Sequence, residues 1–279
     1  MIAIADSGST NTDWVLLDGN TPISFTTKGL NPYFHDETFI ADVLRKEEVI
    51  RNQAFLVTEV HFYGAGSSTE ALKAIMSRGL QAVFPHAQIE VQHDLDGSAL
   101  ATCHDQPGIA CILGTGSNSC FYDGKNIHEE VPSLAHVLGD EGSGSHMGKQ
   151  LIRDFFYKKM PEHISNAFFE YSGLTSDKVI SKVYQEKGVN VYLASLSHFL
   201  QEHSEDPYAH DLVYRCFSEF IDIHVKCYTN WQKYPVHFVG SIAWYFKDIL
   251  REVLENEGGT MGVLLQKPIV GLQQYFMNR

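Results

Sequence analysis

Two short apolar runs, each broken by a small polar turn and closed by Asp-Gly, constrain this chain more than any other feature. Ile2 to Ala5 ends at Asp6, Ser7 to Thr12 form a Gly/Ser/Thr/Asn turn, and Trp14-Val15-Leu16-Leu17 follows before Asp18-Gly19-Asn20 closes the unit. The pattern returns as Ile109 to Leu113, Gly114 to Ser119, Cys120-Phe121-Tyr122 and Asp123-Gly124. Apolar runs this short, bounded by turn formers, read as strand, tight turn, strand. Roughly a hundred residues separate the two units, beyond the period of a solenoid repeat. One architecture used twice, by duplication, is the natural reading.

The intervening sequence alternates in type. Residues 22–28 predict a third strand. Residues 36–50 carry Phe39, Ile40, Val43, Leu44 and Ile50 at helical spacing. Val57 to Tyr63 reads as a strand stopped by Gly64-Ala65-Gly66, and Ser67 followed by Glu70 has capping-box spacing for a helix beyond it. Ile89 to Val91 predicts a short strand and Asp96 to Cys103 a helix. From about 143 to 256 the pattern is mostly helical, with one long helix expected over 211–231. Pro235 to Val239 predicts a strand, Gly240-Ser241 a break, Ala243 to Leu254 a helix that ends at Gly258-Gly259, and Ile269 to Phe276 a last short helix. Interleaved strands and helices give an α/β class. The two hairpin-containing halves predict two lobes with a cleft between them.

Composition removes several function classes. The chain has 279 residues, enough for one or two domains with a sizeable core. Its 21 Lys and Arg against 34 Asp and Glu leave a formal charge of −13. Such a chain repels phosphate backbones and anionic bilayers, so neither nucleic acid nor a membrane surface is an expected partner. No apolar run is long enough to span a bilayer, and the N-terminus lacks the basic and apolar regions of a signal peptide. Five cysteines, an odd number without CxxC or Cys/His ligand spacing, fit reduced and mostly buried thiols. A cytoplasmic globular protein, monomeric or homodimeric, is the expectation.

Five stretches could carry chemistry. In Asp6-Ser7-Gly8-Ser9-Thr10-Asn11-Thr12, backbone N–H groups and hydroxyls of a tight turn can form an anion-binding concavity. Asp6, at the strand end, suits a hydrated Mg²⁺. Gly114-Thr115-Gly116-Ser117-Asn118 repeats the theme. Neither follows the Walker pattern or the dinucleotide fingerprint. Each alone is equally a plain turn rich in turn formers; two of them, each between apolar strands, are harder to dismiss. Val239-Gly240-Ser241-Ile242 is a strand-to-helix break where a flat ring could lie on backbone, although many such breaks carry Gly-Ser. Gly139-Asp140-Glu141-Gly142-Ser143-Gly144 places two carboxylates among glycines, suited to sugar hydroxyls or a metal, or to a solvated helix cap. His93-Asp94-Leu95-Asp96-Gly97-Ser98 puts carboxylates at a strand end, where one could serve as general base or simply cap the next helix.

Taken in order, these strings resemble the N-acetylglucosamine kinase-like proteins. That set is grouped with the BadF/BadG/BcrA/BcrD-type ATPases, in the sugar kinase, Hsp70 and actin superfamily. The resemblance runs nearly end to end. IADSGSTNTDWVLLDG and ILGTGSNSCFYDG look like the two phosphate motifs, GDEGSG is the most diagnostic string, and DLDGSAL and VGSIA look like the catalytic-aspartate and adenosine motifs. Asn11 stands where many members carry lysine.

The resemblance implies two actin-like, ribonuclease H-like lobes with a nucleotide and sugar cleft. They would comprise residues 1–108, with a C-terminal helix at about 266–279 packing back, and residues 109–265. It implies ATP and Mg²⁺ as cofactors and the 6-hydroxyl of an amino sugar, most plausibly N-acetylglucosamine, as acceptor. Asp94 matches the catalytic base and Asp6 the Mg²⁺-associated position. Thr10, Asn11, Thr12, Gly114, Thr115 and Gly116 match the phosphate contacts, and Gly240 and Ser241 the adenosine contact. Asn31, Asn118 and Asp140 match sugar-side positions. Two other outcomes are compatible with the same motifs: an ATPase that drives a partner protein, and a nucleotide or sugar sensor without turnover. The five cysteines do not reproduce the cluster-binding signature of the iron–sulfur activators.

Overall fold

The computed structural model describes every residue except Ser9 and Asn20. Ser9 of the first polar turn and Asn20 of the first Asp-Gly closure therefore lie outside the described residues. Contacts divide the chain into two compact units, one of Met1–Asp105 with Lys267–Arg279 and one of Gln106–Gln266.

In the first unit the expected hairpin is formed by β1 (Ile2–Ser7) and β2 (Asn11–Asp18), joined by β3 (Thr21–Lys28), β4 (Glu59–Gly64) and β5 (Gln88–His93) in the order β3-β2-β1-β4-β5. The β1–β2–β3 meander is antiparallel, whereas β4 and β5 run parallel to β1. Ser7, Gly64 and His93 pair in one row, so three parallel strands end together. Trp14, Phe62 and Phe84 are buried and in mutual ring contact through Trp14, and they anchor a core closed by the helices Glu37–Arg45 and Glu70–Gln81. The helix Glu70–Gln81 is capped by Thr69, whose hydroxyl accepts from Leu72 N–H. The spacing of Ser67 with Glu70 had predicted a cap two residues earlier, but Ser67 N–H is spent on Gly64 O in the turn after β4. The helix Pro268–Met277 packs on the helix Asp94–Cys103 and on β1.

His61 on β4 links this sheet to that terminal helix. Its Nδ1 lies 3.0 Å from Glu90 Oε2 on β5, its Nε2 3.2 Å from Glu59 Oε2, and the Phe276 ring packs against it. Burial disfavours the imidazolium, but the adjacent carboxylates of Glu90 and Glu59 together outweigh it and raise the His61 pKa above 6.5. A raised pKa makes protonation stabilising: the contribution is complete below the unfolded value and is lost as pH rises through the folded one. The melting-temperature gap between wild type and His61→Gln should therefore narrow as pH rises above 6.5. A gap that stays constant over that rise would refute the linkage.

The second unit repeats the plan with β6 (Gly108–Leu113), β7 (Ser117–Tyr122), β8 (Ile127–His128), β9 (Pro235–Val239) and β10 (Thr260–Leu265), ordered β10-β9-β6-β7-β8. β6 and β7 are the antiparallel hairpin, and β9 is parallel to β6. The sequence does not announce β10, which carries Gly262 and shifts register between Met261 and Leu264. A bulged strand interrupts the two-residue alternation by which strands are read. The predicted helix over 211–231 is shorter: Pro207–Phe220 is α-helical, starts from an Asp206 cap, and passes into a π-helical turn at Ile221–Val225. The predicted helix over 243–254 is likewise two, Ser241–Tyr245 and Lys247–Asn256, broken at Phe246. These helices close a core around Phe168, Phe199, Phe217, Phe220 and Phe238. Among the described residues no helix is long and apolar enough to cross a membrane.

Candidate active site

In the first unit the expected residues gather at the carboxyl ends of β1, β4 and β5, the edge at which open α/β sheets bind ligands. Asp6 is the penultimate residue of β1, and Asp94 opens the helix Asp94–Cys103 directly after β5. The helix start is set by Asp96, whose carboxylate accepts from His93 N–H at 3.2 Å. This division of labour separates two aspartates that look alike in sequence. Asp96 caps the helix, while Asp94 Oδ1 is buried and accepts no hydrogen bond, although His93 Nδ1 lies 3.0 Å away.

Asp6 shares this electrostatic environment. Burial, followed by the negative charges of Asp94 and Asp13, pushes its carboxyl up to about 7, against a smaller opposing influence from Lys267. Lys267 is already engaged, 2.9 Å from Asp13 Oδ2. A neighbourhood in which carboxylates outnumber cationic groups fits a hard divalent cation. Among the described residues no group of three or more His, Cys, Asp and Glu could hold a metal by itself. A cation at Asp6 would thus need further oxygens from its ligand and from water, the usual situation of Mg²⁺.

The turn between β1 and β2 divides its residues by face. Thr10 and Asn11 are exposed. Thr12, expected among the phosphate contacts, has its side chain turned inward. It is fully buried, and its hydroxyl bonds Ser7 Oγ at 2.7 Å, donates to Lys28 O and accepts from Leu30 N–H. Strand alternation turns it inward. With Ser7, whose hydroxyl also bonds Leu30, it pins the segment that leads into Asn31. Asn31 is half-buried, and its Oδ1 accepts from Tyr33 N–H at 2.9 Å.

In the second unit Gly114 N–H donates to Gly116 O, forming the turn between β6 and β7. The GDEGSG segment braces that turn: Gly144 N–H donates to Gly114 O at 2.9 Å, and Ser145 N–H to Thr115 O at 3.1 Å. Asp140 serves the same brace. Its Oδ1 accepts from Ser117 N–H at 3.2 Å, it is 7% exposed, and burial raises its pKa. Its Oδ1 is thus engaged by the turn, at a position that the sequence assigns to the sugar side. Glu141 is likewise occupied, with Oε2 3.0 Å from His224 Nε2. Asn118, half-buried on β7, accepts from Ser119 N–H through its own Oδ1.

Gly114, Thr115 and Ser241 do come together. They line a cavity of about 190 Å³ together with His198, Gln201 and Tyr245. The helices Val189–Ser195 and Ser197–Glu202 supply part of that lining, and no motif in the sequence marks them. Gly240 lies at the end of β9, against the backbone of Leu113.

Neither a protein-family model nor a curated protein matches the sequence. Solved structures do. A candidate N-acetylglucosamine kinase from Porphyromonas gingivalis is 40% identical over 100% of this chain and 99% of its own, with a TM-score of 0.94. A candidate N-acetylglucosamine kinase from Chromobacterium violaceum, at 15% identity over 100% and 98% of the two chains, has a TM-score of 0.70 and shares the fold. So does a ROK-family glucokinase from Streptomyces griseus, solved with glucose and AMPPNP, at 12% identity over 98% and 97% with a TM-score of 0.58. With two sheets of matching plan and that first relative aligned end to end, the chain belongs to the N-acetylglucosamine kinase-like family, ATP-dependent carbohydrate kinases with the two-lobe actin-like fold.

Proposed function

We propose that this kinase transfers the γ-phosphoryl group of ATP to the 6-hydroxyl of an amino sugar, N-acetylglucosamine before others, in the cytoplasm. The observation that carries this reading is the buried Asp94 Oδ1, without a hydrogen bond, at the carboxyl end of β5. A carboxylate oxygen held this way is placed to accept a hydroxyl proton. The 40% identity to a candidate N-acetylglucosamine kinase supports the choice of sugar.

Phosphoryl transfer asks a protein for position and charge neutralisation more than for covalent chemistry. Asp94 takes the proton from the 6-hydroxyl as that oxygen bonds the γ-phosphorus, and the bond to the β-γ bridging oxygen breaks to leave ADP. Thr10 and Asn11 from one turn, and Gly114, Thr115 and Gly116 from the other, orient the phosphates through backbone N–H groups and hydroxyls. Ser241 and the cavity it lines receive the adenosine, with Gly240 positioning Ser241 after β9. Asn31 orients the sugar. Asp6 holds Mg²⁺, which when bound neutralises phosphate charge. Asp140 acts on the phosphates indirectly, by fixing the Ser117 end of the turn.

Coupled ADP release with Mg-ATP tests the reading, first without sugar and then with N-acetylglucosamine, glucosamine, N-acetylmannosamine and glucose. Release is expected with N-acetylglucosamine, and phosphorus NMR should show a 6-phosphate. Sugar-independent release would shift the assignment to an ATPase coupled to a partner. ATP binding without any release would make the protein a sensor.

A further inference from the structure

We propose that Tyr33 determines acceptor specificity, its ring and the Asn31 carboxamide forming one carbohydrate-binding platform seated on Gly66. The inference rests on the reading that the first unit holds the sugar. A pyranose presents a hydroxyl edge and an apolar C–H face. A site that recognises it combines fixed polar groups with an aromatic surface.

The segment Asn31–His35 has both, and it is held from several sides. Ser7 and Thr12 anchor Leu30 from within the sheet. Asn31 O then accepts from both Phe34 N–H and His35 N–H at 3.0 Å, and Asn31 N–H donates to His35 Nδ1 at 3.2 Å. With Asn31 Oδ1 taken by Tyr33 N–H, the amide nitrogen is the group left to donate to a ligand. Gly66, in the turn after β4, has φ +83°. A methyl built on it would come within 2.4 Å of Asn31 Oδ1 and 2.9 Å of Tyr33 Cδ2. Both side chains therefore rest directly on its Cα, and no larger residue leaves them there. One edge of the Tyr33 ring is seated in this way while the residue stays 60% exposed. The same turn is tied to β1 by Ala65 N–H donating to Ser7 O, which fixes the platform beside the strand that carries Asp6.

Tyr33→Ala, Tyr33→Leu and Tyr33→Phe, compared with wild type, test this. Each is measured for KM of N-acetylglucosamine and of ATP, and for equilibrium binding of N-acetylglucosamine without nucleotide by calorimetry. The Ala and Leu variants are expected to weaken sugar binding about tenfold, with the ATP KM within about twofold, whereas the flat Phe ring restores wild-type sugar binding. The Leu variant keeps the test decisive if the Ala variant does not fold. Normal turnover in wild type, with a sugar Kd unchanged in the Ala or Leu variant, overturns the platform and leaves the kinase standing. Tyr33-dependent sugar binding without turnover in wild type overturns the kinase reading and leaves the platform. A wild-type protein that binds no sugar overturns both.

Discussion

Replacing Asp94 by Asn is expected to lower kcat by about 10²- to 10⁴-fold while the KM for the sugar moves by less than about threefold. The amide keeps the shape of the carboxylate and its place at the start of the helix Asp94–Cys103, but it cannot take a proton from a hydroxyl. A structural role for Asp94 predicts the reverse, a lowered melting temperature with turnover preserved. Steady-state kinetics and a melting curve on the same preparation separate the two. Near-normal turnover in Asp94→Asn would remove Asp94 as the base. The adjacent Asp96 provides an internal contrast. It caps the helix through His93 N–H, so Asp96→Ala should weaken folding more than chemistry.

The second large effect is on the nucleotide side. Gly240 has φ +117°, and a methyl built on it would lie 2.3 Å from Leu113 O. Leu113 ends β6 and leads straight into Gly114 of the turn between β6 and β7, to which the proposal assigns the phosphates. An alanine must therefore adopt a conformation that L residues avoid and also push β9 away from β6. Gly240→Ala should cost on the order of 3 kcal/mol and lower the melting temperature by about 6–12 °C. In whatever protein remains folded, the KM for ATP should rise, because the displaced Leu113 carries the turn with it. Gly114→Ala is the stability control, since a methyl there meets nothing within 4 Å. Equal melting temperatures for wild type and Gly240→Ala would show that the β6–β9 junction yields without cost.

What could be read directly from the sequence is local. The β1–β2 and β6–β7 hairpins, the strand-to-helix break at Gly240 and the terminal helix all announce themselves through turn formers beside short apolar runs. A residue's φ preference and its neighbours' apolarity act over a few positions. Even there, features with non-local causes escaped: the bulged β10, the π-helical end of the helix after Asp206, and the Thr69 cap.

The site was legible as a set of strings but not as a set of roles. Asp94 and Asp96 have the same side chain two positions apart, and only the hydrogen bond to His93 N–H tells the capping residue from the one whose Oδ1 accepts none. Thr12 shares a motif with Thr10, yet the pairing of β2 with β1 and β3 turns it into the core. Asp140 meets Ser117 across 23 positions, and the platform joins Asn31 to Gly66 across two strands of one sheet. The sequence by itself determined where the chain turns and which turns are rich in phosphate-suited groups, because turn chemistry is a property of adjacent residues. The tertiary structure alone decided which of those groups stay exposed and which brace the others, because side-chain direction depends on strand register and on segments packed from far along the chain.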